Sequence, residues 1–164
     1  MQRLDTAGMT MSTANAVFAP GTTSTYSTTN STAGFINGKW ATALTAQTNT
    51  ASPTTDVNTS AAFTALADDQ ISVFVWGTNA AGEVKVAQGG IVNTDVGVTT
   101  TPGSVITAPQ FPSLPDDFLV HAYTLVQTAP SAAAWTFGSS QWGATGITDT
   151  WVNCAVLPAR PQVS

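Results

Sequence analysis

One histidine, one cysteine and nine acidic residues are the chain's main supply of groups for proton transfer, nucleophilic attack or metal binding. His121 stands in FLVHAYTLV with apolar neighbours on both sides, the setting of a satisfied core or sheet histidine rather than of a general base. No second histidine exists to join it in a metal site. Cys154, in the apolar run CAVL, reads as an inert buried thiol, and as the sole cysteine it permits no internal disulfide. Asp68-Asp69 and Asp116-Asp117 are adjacent pairs. Neighbours on an extended strand point to opposite faces, so neither is a ready acid/base pair. Both mark turns and sheet edges, with calcium binding through carboxylates and backbone carbonyls as the alternative. No phosphate loop, nucleophile elbow, zinc signature or dinucleotide fingerprint is present. The expectation is a non-enzyme with no cofactor and no required metal.

Aromatic residues are the other candidates. The stretch WTFGSSQWGATGITDTW, Trp135 to Trp151, holds three tryptophans among Gly, Ser and Thr, with Asp149 its only charge. Trp135 and Phe137 share a face of a short strand and are expected in the core. Trp151 shares a face with Ile147 but also with Asp149, which places it in the core toward the sheet margin. Trp142 lies between glycine turns and is the best candidate for exposure. Together with Trp40 and Tyr26 it forms the candidate interface set. A sugar-binding module would stack its ligand on such rings with Asn, Asp and Gln alongside, although one exposed ring is not a platform.

The elements that position these residues follow from composition. Charged residues make up 8% of the chain, against roughly 25% in an average soluble domain. Hydroxyls and amides solvate the surface instead. Thr, Ser, Asn and Gly are poor helix formers, so an all-β fold is expected. The net charge of −5, with Arg3, Lys39, Lys85 and Arg160 the only bases, argues against a phosphate-neutralising surface and hence against nucleic acid. No apolar run approaches a membrane span and the start lacks an apolar signal core, so no membrane partner and a cytosolic site of synthesis are expected.

Residues 1–32, including TTSTYSTTNST, show no apolar period and are expected to be an extended N-terminal arm that is mobile or ordered on a neighbouring surface. Residues 33–164 form a single domain. In AGFINGKW, Asn37-Gly38 predicts a type I′ hairpin between Phe35-Ile36 and Trp40. Residues 46–60 read as a polar loop, and AAFTALADD as either a short strand or a helical turn. ISVFVWGTNAAGEVKV predicts a strand covered on both faces, then one covered on a single face. A proline-rich connection spans 93–117, and FLVHAYTLVQT resumes a strand. WTF and GITDTWVNCAVL predict two more. Six to eight short strands with long polar connections indicate a β-sandwich or small barrel, jelly-roll-like by first preference.

APQFPSLPDDFLVHAYTLV, WTFGSSQWGATGITDTW and LPARPQVS together resemble small virion proteins of tailed bacteriophages, the products of head-gene clusters. The resemblance spans residues 70–164, with a weaker echo in GFINGKWATALTA. It implies a phage structural protein of β-sandwich type, best a capsid decoration or cement protein. By the same resemblance the chain is made in the bacterial host cytoplasm and located on the capsid surface of the virion. Its partners would be the major capsid protein and itself, as a homo-oligomer with a trimer favoured over a dimer. Flat neutral patches, exposed aromatic anchors and an ordering arm suit such a role, because one modest contact is repeated over the whole shell. The competing expectations are a head-fibre or tail protein that binds host-surface glycans, and a scaffold module of the tail tube or baseplate.

Overall fold

The computed structural model describes residues 9–14 and 16–163. In chain order its strands are β1 (Met11–Ala14), β2 (Phe18–Pro20), β3 (Thr25–Thr28), β4 (Ala33–Ile36), β5 (Lys39–Trp40), β6 (Thr50–Ala51), β7 (Gln70–Thr78), β8 (Val84–Gln88), β9 (Val92–Asn93), β10 (Leu119–Thr128) and β11 (Ile147–Asn153). There is no helix among the described residues. The fold is all-β, with antiparallel sheets in a sandwich-like arrangement.

The central sheet runs β11-β10-β7-β8, with β9 paired to the start of β7. β7 and β10 lie side by side in its middle and are buried on both faces, which is why both read as near-continuous apolar runs. Phe74, Trp76, Ala122 and Val126 belong to one core, whereas Ile71, Val73, Val75, Tyr123 and Leu125 belong to the other. The second core is closed by irregular chain: Val105, Phe111 and Leu114 from the proline-rich connection, and Leu157 from the C-terminal tail. Prolines suit a cover that need not donate to a ladder.

The first core is closed by the β2-β3-β6 sheet and by the loop of residues 135–142. Here the expected arm is corrected. Of residues 1–32, residues 1–8 and 15 lie outside the described residues, but the described remainder carries β1, β2 and β3, and Ala16, Phe18 and Tyr26 are buried. Sparse apolar residues suffice because the hydroxyls complete the strand pairing. Thr28 N donates to Gln47 O at 2.9 Å while Gln47 N donates back to Thr28 Oγ1 at 2.9 Å. Thr32 and Leu44 repeat this exchange at 2.8 and 2.9 Å, and Asn49 N donates to Ser27 Oγ. Such side chain to backbone bonds satisfy donors that a longer sheet would otherwise have to match.

The third sheet, β1-β4-β5, holds the expected hairpin. Asn37 and Gly38 take φ of 51° and 74°, and Phe35 pairs with Trp40 and Ile36 with Lys39. Its inner face rests on the start of β10: a Cβ on Gly34 would stand 2.6 Å from Leu119 Cδ2. AAFTALADD is neither strand nor helix; within it Leu66 exchanges two backbone hydrogen bonds with Trp135, at 2.8 and 3.0 Å. The expected strand WTF is reduced to that single bridge, followed by turns at Gly138, Gly143 and Gly146, all at positive φ.

Candidate interaction surface

Four of the five tryptophans share one aromatic cluster. Trp76, Trp135, Trp142 and Trp151 all pack in the first core, with Trp142 5.2 Å from Trp135 and 5.0 Å from Trp151 between ring centroids. Trp142, expected at the surface, is only 6% exposed. Its Nε1 donates to Thr25 O at 2.8 Å and its backbone N to Thr23 O at 3.0 Å. The glycine turns fold the ring back onto β3 rather than presenting it. Tyr26 is corrected in the same way: it is buried, stacked on Phe18 at 5.8 Å and tilted against Trp76 at 5.3 Å. Both corrections have one cause, since the segment taken for an arm is the layer that covers this cluster.

Trp135 and Phe137 are buried as expected, and Trp151 is half-buried with Nε1 donating to Asp149 Oδ2 at 2.9 Å. Asp149 Oδ1 also accepts from Gly143 N, so the lone charge of the tryptophan stretch ties its loop to β11.

The fifth tryptophan stands apart. Trp40 is 67% exposed on β5, beside Phe35 of β4 at a ring separation of 4.0 Å. Phe35 in turn faces Met11 of β1. One apolar side chain from each strand thus lines up across the outer face, while Ser12, Gly34 and Ile36 of alternate parity are buried. Met9 extends the row, its carbonyl accepting from Gly38 N at 2.9 Å. The strands of this sheet are nearly free of charge: between residues 9 and 55 the only charged residue is Lys39, and every acid except Asp5 lies at or beyond Asp56. The Asn37-Gly38 turn makes the Phe35 and Trp40 pairing legible in the sequence. Met11 was not legible, because its register with Phe35 depends on a contact between distant segments.

The titratable groups stay dispersed. His121 is buried, its Nε2 3.0 Å from Thr78 Oγ1 and its ring stacked on Phe18, while Nδ1 has no partner. Burial lowers its pKa to about 4. Cys154 is half-buried against the second core, and burial raises its thiol pKa. Asp69 Oδ1 accepts from Gly97 N, a turn-holding role. Among the described residues no three His, Cys, Asp or Glu side chains converge as a metal cage.

The histidine has a measurable consequence. In the unfolded chain it titrates near the ordinary value of 6.5, so above that pH it is neutral in both states and contributes no pH dependence. As pH falls from 6.5 toward 4 the unfolded state takes up the proton first, and stability should drop by about 3 kcal/mol from this group, levelling off below. Urea unfolding across that window should show a steeper decline for the natural protein than for His121→Gln, which keeps a partner for Thr78 without titrating. Parallel curves would refute the assignment.

The comparisons supply no relative: no family model, no curated protein and no solved structure matches the chain.

Proposed function

We propose that this chain is a non-enzymatic structural protein of a tailed-phage virion, a decoration or cement protein that sits on the capsid surface and bridges major capsid protein subunits. The observation that carries this reading is the row formed by exposed Met11 and Trp40 with half-buried Phe35 between them, on strands almost without charge. Trp is the residue type most often found as an interface anchor. Trp40 alone presents roughly 100–170 Å², far below the ~600 Å² per partner of a stable pairwise interface. A contact of that size is productive when it is repeated, as on a shell, where each added site stabilises the assembled state by mass action. The same reading includes self-association, a trimer before a dimer, and synthesis in the bacterial cytoplasm. Jelly-roll connectivity is a separate and finer expectation; the central sheet sets two hairpins side by side, an order that does not by itself make a Greek key. A second reading, a head-fibre or tail protein that binds glycans, is favoured by the cleft described below.

The test is occupancy. Virions should carry the protein in hundreds of copies over the head by electron microscopy. Trp40→Ala should leave the fold intact and weaken attachment about 30-fold, or ~2 kcal/mol. A few copies confined to the tail, or undiminished occupancy with Trp40→Ala, would overturn the proposal.

A further inference from the structure

Between the β2-β3-β6 layer and β8 the structure leaves an open cleft of about 440 Å³, lined by Tyr26, Asp56, Ser60 and Lys85 with Val57 and Val84. That volume lies within the range of small-ligand sites. Its floor is polar and built. Asp56 is 8% exposed, its Oδ1 accepting from Asn58 N at 2.7 Å and its Oδ2 from Gln88 N at 3.4 Å. Ser60 is held at the rim with φ 57°, its backbone N donating to Asp56 O at 2.8 Å. Left-handed backbone at a non-glycine residue costs energy that the surroundings must offset, and such positions gather at ligand sites.

Tyr26 is the most informative member. Its ring is locked by Phe18 and Trp76, the residue lines the cleft, and its hydroxyl has no hydrogen-bond partner among the described residues and is not among the fully buried polar atoms, which leaves it free for a ligand. Burial raises the phenol pKa, which keeps the proton on and the group able to donate as well as accept.

The charges identify the ligand class. Lys85 Nζ is already paired with Glu83 Oε2 at 3.1 Å, and the Asp56 carboxylate is compensated by two backbone N–H groups. Neither calls for a counter-ion. A phosphate would meet a carboxylate beside a single, paired lysine. A neutral ligand rich in hydroxyls instead satisfies Tyr26, Ser60, Asp56 and Lys85 in turn, because each sugar hydroxyl both donates and accepts. Val57 and Val84 receive the C–H face of the ring.

We infer that this cleft binds a neutral saccharide unit, with the Tyr26 hydroxyl, Asp56, Ser60 and Lys85 as its hydrogen-bonding set. The site is separate from the Trp40 row and does not depend on attachment to a shell. The test is ligand titration by NMR with glucose, galactose, mannose and N-acetylglucosamine, using glycine and inorganic phosphate as charged controls. At least one neutral sugar should bind saturably, with shifts confined to residues 51–60, 84–85 and Tyr26. Tyr26→Phe removes only the hydroxyl and should weaken that binding roughly two- to tenfold with unchanged amide shifts outside the cleft. Lys85→Met, at the half-exposed rim, is the second variant should the first not fold, with loss of similar size. Trp40→Ala should bind sugar normally, which separates this site from the shell contact. No saturable binding of any of the four sugars at tens of millimolar, preference for glycine or phosphate, or both cleft variants binding like the natural protein would each overturn the inference.

Discussion

Trp76→Ala is expected to lose ~3–5 kcal/mol of stability through the cavity it leaves, with a further ~1–3 kcal/mol from a stranded polar group. Trp76 is fully buried on β7, and its ring lies 5.1 to 5.7 Å from those of Phe18, Tyr26, Phe137 and Trp151. It therefore joins the central sheet, the β2-β3-β6 layer and the tryptophan loop. Its Nε1 donates to Thr124 Oγ1 at 2.9 Å in the core, so the substitution orphans that hydroxyl as well as opening a void. Against a typical domain stability of ~5–15 kcal/mol the sum is enough to unfold much of the population. Urea unfolding measures it. The two contributions separate through Thr124→Val, which should destabilise the alanine variant less than it destabilises the natural protein. A loss below ~1 kcal/mol for Trp76→Ala would mean that the cluster does not hold the layers together.

Trp142→Ala should likewise cost ~3–5 kcal/mol, the opposite of what its glycine-flanked sequence suggests. The ring contacts Trp135, Phe137 and Trp151 and its Nε1 donates to Thr25 O, a bond lost on truncation, whereas the backbone N of residue 142 keeps its bond to Thr23 O. Its removal should loosen the covering layer before the central sheet, so amide exchange at residues 23–28 should accelerate more than at β7 or β10. Trp40→Ala is the matched control, a surface truncation expected within ~0.5 kcal/mol of the natural protein. If the two alanine variants unfold alike, the division between buried and exposed tryptophans drawn here is wrong.

What the sequence determined by itself is local. Low charge and abundant Thr, Ser and Gly dictated a β-protein, because those residues neither support helices nor leave many other choices. The alternation in ISVFVWGT and the double-sided apolar run in FLVHAYTLVQT identified the two central strands, since period 2 records which faces are covered. Asn37-Gly38 set the hairpin and with it the Phe35 and Trp40 pair, because a two-residue turn imposes its register. Tertiary structure alone decided the rest. Residues 16–28 carry too few apolar side chains to announce a layer, and they become one only by meeting the tryptophan cluster and by hydroxyl bonds with Gln47 and Asn49. Trp142 faces inward for the same reason, as its burial needs β3, more than a hundred residues earlier in the chain. Tyr26 lines a cleft because the turn of Asp56 and Ser60 meets Lys85 of β8 there, a convergence that no spacing in the sequence encodes.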